Sequence, residues 1–336
     1  MVHLQHIKIS NFTNESHETT SHNLYYQTFG QPLHSAPIIM VNHALTGNSN
    51  VIGEQGWWNE IIGENKCINT ENYTIISFNI LGNGFDNNAE NLIVNYKDYT
   101  ARDIAKLFAL ALEELDITSL LAVIGGSVGG GIAWELAALK PRLIQHLIPI
   151  ATDWKSTDWV IANCHIQDAI LNHSSQPLVD ARMHAMTLYR TPESLTQKFD
   201  RTKKDQGLFH IESWLNYHGT ALNNRFQVAA YKLMNQVLRT IDITRDRNDF
   251  IAVASKIESD IHIITINSDL FFKADENWNT YVDLKCIKDN VHIHEIKSIH
   301  GHDAFLIEFD QIERFLSPIF ASDLCYSKKK HEPQVA

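Results

Sequence analysis

Five glycines surround a single serine in the stretch VIGGSVGGG, residues 123–131, which closes an apolar run. Two chemistries use such a stretch. A glycine-rich loop can wrap a phosphate with its amides, and a sharp strand-to-helix turn can hold a serine up as a nucleophile. The phosphate reading needs a lysine, as in G-x-x-x-x-G-K-[ST], but Ser127 is followed by Val-Gly-Gly-Gly-Ile-Ala. A dinucleotide fingerprint, G-x-G-x-x-G, fits only in part. It also belongs on the first strand of a βαβ unit, and here at least three strand-like runs come first. Gly125-Gly126-Ser127-Val128-Gly129 satisfies G-x-S-x-G directly. In that turn the serine dihedrals are strained, and glycines two positions away remove the Cβ atoms that would clash. The helix that follows brings partial positive charge to the developing anion.

A serine nucleophile needs a base and an acid later in the chain, in the order Ser, Asp or Glu, His. DIHIITINSD places Asp269 just after a late strand, and VHIHEIKSIHGHDAF offers His300 and His302 after the next. Most of the 18 histidines read as surface or hydrogen-bonded groups, and His292 and His294 fall at strand positions. An oxyanion hole takes one amide from an early strand–helix loop and one from the residue after the nucleophile. VNHALTGNSN ends an early strand in small residues, so the amides of Leu45 and Val128 form the natural pair.

These groups need a frame. Short apolar runs bounded by turn residues occur at 22–30, 36–44, 72–81, 120–127, 143–152, 260–268 and 291–298 and read as strands. Several are apolar on both faces, as in a parallel sheet covered on both sides. TARDIAKLFALALEEL (100–115) reads as a helix. Thr100 opens it, Asp103 makes a variant of the capping box, and Ile104, Leu107, Phe108, Ala111 and Leu115 recur at helical spacing. A second helix spans 129–141 and ends at Pro141. Alternating strands and helices imply a doubly wound α/β sheet. The alternation stops between about 153 and 255, where the sequence turns helical and polar with no Pro/Gly/Ser-rich linker. The expected organisation is therefore an α/β core of residues 1–152 and 256–326, a helical lid insertion of 153–255, and a flexible C-terminal tail of 327–336.

Bulk composition narrows the function class. Hydrophobic content of 44% predicts a packed core, and the apolar runs fall short of a membrane span. A net charge of −11 without a broad basic patch argues against nucleic acid. The N-terminus shows no basic region followed by an apolar one, so no signal peptide is read. Four scattered cysteines, none in a CxxC pair, argue against disulfides and zinc and suit a reducing cytoplasm.

Together these stretches resemble the homoserine O-acyltransferase family, an acyltransferase branch of the α/β-hydrolase fold, along most of the chain. NHALTGNSN resembles the family's H-A-L-T-G segment, and GWWNEIIGENKCINTENYTIISFNILG its tryptophan-rich block. VIGGSVGGG resembles its nucleophile elbow, with Val128 where Leu or Met is usual. ARMHAMTLYRTPESLTQKF, FHIESWLNYHG, INSDLFF and GHDAFLIE are similar to further blocks. The loop NGFDNNAENLIVNYKDYT departs, being shorter than the family's G-S-x-G-P stretch.

The resemblance implies Ser127 as nucleophile, His302 as base and Asp269 as orienting acid. It implies that Arg182, Tyr189 and Asp303 hold the amino-acid substrate. Homoserine is a zwitterion, and such a site needs a cation for its carboxylate and an anion for its ammonium. It further implies acetyl transfer from acetyl-CoA to homoserine through an acyl-serine in methionine biosynthesis, with no bound cofactor or metal, and a homodimer through lid helices. Basic residues of the lid (Arg182, Arg190, Lys198, Arg201, Lys203 and Lys204) offer charge for CoA. Succinyl transfer, transfer to serine, hydrolysis of a carboxylic ester on the same triad, and a non-catalytic binding module are the alternatives.

Overall fold

The computed structural model describes residues 4–204 and 207–330, with 322–330 as backbone alone. Its centre is one sheet of eight strands: β1 (Gln5–Thr13), β2 (Thr19–Gly30), β3 (Ile38–Asn42), β6 (Thr74–Phe78), β7 (Leu120–Gly126), β8 (Ile144–Ile150), β9 (Asp260–Ile266) and β10 (Val291–Ile296). Two short strands, β4 (Ile62–Gly63) and β5 (Ile68–Asn69), pair apart from it. The spatial order is β1-β2-β6-β3-β7-β8-β9-β10. β2 runs antiparallel to β1 and β6, and every other pair is parallel. This is the expected mostly parallel α/β-hydrolase sheet.

The central strands are apolar at successive positions because each residue feeds one of two cores. Met40, Val123 and Leu147 pack on one side with Ile104 and Ile132, from the helices α1 (Ala101–Glu114) and α2 (Val128–Leu139). Val41, Ile124 and Ile148 pack on the other with Ile312 and Leu316 of the last helix, α10 (Phe309–Lys330). The α1 capping box is complete: Asp103 N donates to Thr100 Oγ1 at 3.3 Å and Thr100 N to Asp103 Oδ2 at 2.9 Å. Between β8 and β9 lie α3 (Asp158–His173), α4 (Pro177–Tyr189), α5 (Pro192–Phe199), α6 (His210–Asn223), α7 (Val228–Arg239) and α8 (Phe250–Ala254). This helical insertion is cinched at its base, where Ser156 N donates to Ile241 O at 2.9 Å and Ile243 N to Trp154 O at 3.2 Å.

Besides the short β4 and β5, three elements differ from the sequence reading. β1 was not expected, because QHIKISNFT buries only Ile9 and Phe12 and carries a register shift between them, with Asn11 at φ 55°. α9 (Ala274–Lys285) and α10 were not expected either, being rich in exposed polar residues, with Pro318 inside α10. α10 continues to Lys330, into the stretch expected as a tail at 327–336, of which residues 331–336 lie outside the described residues. No helix among the described residues is long and apolar enough to cross a membrane.

Candidate active site

The turn from β7 into α2 holds Ser127 at φ 54°, ψ −126°, a strained backbone for a residue with a side chain. Two anchors hold it there. Ser127 N donates to Ile150 O at 2.9 Å, and the amides of Gly130 and Gly131 donate to Ser127 O at 2.9 and 3.2 Å. The flanking glycines are required by proximity. A Cβ on Gly125 would lie 2.3 Å from Gly129 O, and one on Gly129 would lie 2.6 Å from the carbonyls of Asn42 and His43. Gly130 and Gly131, which the sequence left unexplained, face other parts of the molecule. Their Cβ atoms would meet Thr152 Cγ2 at 2.3 Å and Ile241 Cδ1 at 2.2 Å, so α2 starts hard against the base of the insertion.

The loops after β9 and β10 deliver the partners. His302 Nε2 lies 3.0 Å from Ser127 Oγ, and His302 Nδ1 lies 2.7 Å from Asp269 Oδ2. The other Asp269 oxygen accepts the amides of Phe271 at 2.7 Å and Phe272 at 3.0 Å, which locks the carboxylate plane. Asp269 therefore fixes the imidazole with Nδ1 protonated and Nε2 free to take the serine proton. All three side chains are buried, and His302 is walled by Tyr189, Phe271, Phe272 and Phe305 with ring centroids at 5.3–5.9 Å. The alternative histidine is engaged elsewhere: His300 Nδ1 is 2.9 Å from Ser194 Oγ and 3.0 Å from Arg190 Nη2. Arg190, one of the cations offered for CoA, is thus buried and committed to structure.

Asn42 Nδ2 donates to Gly129 O at 3.1 Å, which seats the loop after β3 against the elbow. That loop carries Leu45, and the amides of Leu45 and Val128 have no protein acceptor among the described residues. Arg182 and Asp303 face the same space. Burial pushes the Asp303 carboxyl up, against the pull of Arg182 and then His302. No ion pair joins Arg182 to Asp303 among the described residues, so each keeps hydrogen-bonding capacity. The Arg182 guanidinium lies over the Tyr189 ring at 5.8 Å, and burial drives the Tyr189 phenol well above its ordinary range. No group of ligands suited to a metal ion occurs among the described residues.

Residues 37–172 match the α/β hydrolase fold family. A homoserine O-acetyltransferase of Cyclobacterium marinum is 30% identical over 303 residues, covering 84% of each chain. One from Methanococcus vannielii is 30% identical over 340 residues, covering 90% of this chain and 69% of its own. The chain belongs to the homoserine O-acetyltransferase family. Among solved structures, a homoserine O-acetyltransferase from Bacillus anthracis superimposes with a TM-score of 0.86 at 19% identity, over 95% of this chain and 97% of that one. Esterase E22 superimposes at 0.83 and 16% identity, over 95% of this chain and 100% of that one. Both establish the shared fold.

This member of the homoserine O-acetyltransferase family has a strut behind its elbow that motif reading missed. His43 is fully buried, accepts the amide of Ile80 at Nε2 (3.0 Å) and therefore donates from Nδ1 to Ala44 O (2.7 Å). Burial lowers its pKa to about 4, so it stays neutral. Asn83, Asn79, Ser49 and Gln27 continue the support as one buried network. From the insertion side, Arg225 Nη1 donates to Thr46 O at 2.9 Å. The available signal was a histidine directly after a buried strand, where a free imidazole would be costly.

Proposed function

We propose that this protein is a homoserine O-acetyltransferase that uses acetyl-CoA and a covalent acetyl-serine. His302 Nε2 takes the Ser127 proton as Oγ attacks the thioester carbonyl. The tetrahedral oxyanion sits between the amides of Leu45 and Val128, at the N-terminus of α2. The carbon–sulfur bond breaks, the proton passes from His302 to the leaving thiolate, and CoA departs. Homoserine then binds with its carboxylate on Arg182 and its ammonium on Asp303, with Tyr189 packing beside it. His302 removes the proton from the homoserine hydroxyl, whose oxygen attacks the acetyl-serine. O-Acetylhomoserine leaves, and Ser127 recovers its proton.

The observation that carries this reading is the unpaired Arg182 and Asp303 beside a complete Ser127–His302–Asp269 relay. An ester hydrolase needs the relay alone, whereas a zwitterionic acceptor needs both charges held apart. Burial of the relay under aromatic rings also favours transfer, because water must be kept from the acetyl-serine. The test is thiol release from acetyl-CoA and succinyl-CoA with homoserine or serine as acceptor. The products are resolved into free acid and O-acyl amino acid. The expected result is O-acetylhomoserine with parallel double-reciprocal plots and no turnover by Ser127→Ala. Free acetate as the main product, or intersecting plots, would overturn it.

A further inference from the structure

The chain carries net charge −11, yet residues 182–204 hold six basic side chains against Glu193 and Asp200. Arg182 is assigned to the acceptor and Arg190 is consumed internally, whereas Lys198, Arg201 and Lys203 lie around a feature the reaction above does not use. Between α5 and α6 runs an open groove of about 460 Å³, lined by Lys198, Thr202, His210, Ser213, Trp214 and Tyr217 together with Phe199. Lys198 Nζ lies 5.2 Å from the Trp214 ring centroid and has no carboxylate partner among the described residues. Tyr217 is 68% exposed, with its ring edge-on to His218 at 5.5 Å. Arg201 and Lys203 both sit over the Phe209 ring, at the chain position next to His210. Aromatic faces interleaved with free cations are the combination that holds a base and its phosphates.

A chain of neighbouring side chains links the groove to the catalytic centre. His302 contacts Tyr189 at 5.3 Å, and Arg182 covers Tyr189 at 5.8 Å. His218 follows within electrostatic range of both Arg182 and Lys198, and its ring meets Trp214 at 4.4 Å. A flexible amide arm laid along this line would start at Ser127 and end at Lys198.

We infer that the groove between α5 and α6 is the docking site for the nucleotide end of the acyl-CoA donor, with adenine against Trp214 and Tyr217 and phosphates on Lys198, Arg201 and Lys203. The inference rests on acyl-CoA being the donor. The positive stretch sits in a strongly negative protein, which matches the polyanion in charge and repels it elsewhere. The thioester end reacts at Ser127, and the nucleotide end contributes affinity without touching the chemistry.

The test compares acetyl-CoA with S-acetylpantetheine, which lacks the nucleotide. Lys198→Glu and Trp214→Leu are each expected to raise KM for acetyl-CoA about tenfold. KM for S-acetylpantetheine and for homoserine should follow the wild-type enzyme. Calorimetry with adenosine 3′,5′-bisphosphate gives a readout independent of turnover: the wild-type protein binds it and both variants bind at least tenfold more weakly. Equal shifts for both donors, or unchanged bisphosphate binding in the variants, would overturn the assignment. A fall in molecular mass of the Trp214→Leu protein by light scattering would do the same, since the face would then be a subunit contact. Absence of any acyl transfer from acetyl-CoA by the wild-type chain would instead refute the donor itself, and the calorimetric result separates the two.

Discussion

Replacing His43 with Asn tests whether a neutral imidazole braces the oxyanion loop. The asparagine amide can still donate to Ala44 O, as Nδ1 does, but nothing then accepts the Ile80 amide. A stranded buried amide costs about 1–3 kcal/mol, so the variant is less stable at pH 7. Its acid response goes the other way. In the wild-type chain the His43 pKa falls from 6.5 unfolded to about 4 folded. The unfolded chain therefore binds the proton first. The fold is fully stable with respect to this group above pH 6.5 and loses about 1.4 kcal/mol per pH unit from there down to the folded pKa. At pH 5 the loss from His43 is about 2 kcal/mol. Other groups that the fold shifts, among them His262, His218 and Asp153, are present in both proteins and cancel from the comparison. Urea unfolding at pH 7 and pH 5 should thus show an acid loss about 2 kcal/mol larger in the wild type than in the variant. With the Leu45 amide less well held, kcat should fall on the order of tenfold while KM for homoserine stays put. Equal acid losses in the two proteins would show that His43 is not the buried neutral strut described here.

Asp269→Asn keeps the shape of the acid but favours the wrong tautomer of His302, so kcat should drop roughly 10⁴-fold with the fold intact by circular dichroism. Gly130→Ala pushes a methyl group into Thr152 and the Gly125 carbonyl, one of them rigid backbone. A loss of about 1–3 kcal/mol in urea unfolding is expected. Arg182→Lys retains the charge but loses the planar fork, and should raise KM for homoserine about tenfold or more while the first half-reaction, CoA release in a single turnover, is unchanged. Loss of the CoA burst in that variant would remove Arg182 from the acceptor side.

The relay was legible because each member sits at a boundary marked by sequence. Ser127 ends an apolar run amid glycines, and Asp269 and His302 follow two late strands whose composition admits little else. The resemblance singles out His302; the structure engages His300 with Arg190 and Ser194, which reach across from the insertion. Gly130 and Gly131 could not be explained in advance because their neighbours, Thr152 and Ile241, lie beyond the sequence window that defines the motif. β1 escaped notice for a different reason. An edge strand with two buried side chains has almost no period-two signal. α10 was hidden by Pro318 and by a polar outer face, although Ile312, Leu316 and Phe320 line the second core.

The six-helix insertion leaves the sheet after β8 and returns at β9, strands that are direct neighbours and hydrogen-bonded to each other. Those strands are parallel, so the chain must travel back to the start of β9; the insertion instead closes on itself at a seam where Ser156 meets Ile241 and Trp154 meets Ile243. Nucleophile, base and acid all sit on the sheet side of that seam, whereas Arg182, Tyr189 and the α5–α6 groove sit on the other. Mutation can therefore alter what receives or delivers the acyl group while the relay is inherited unchanged. The seam therefore runs through the candidate acceptor site itself, with Arg182 on the insertion and Asp303 beside His302 on the core.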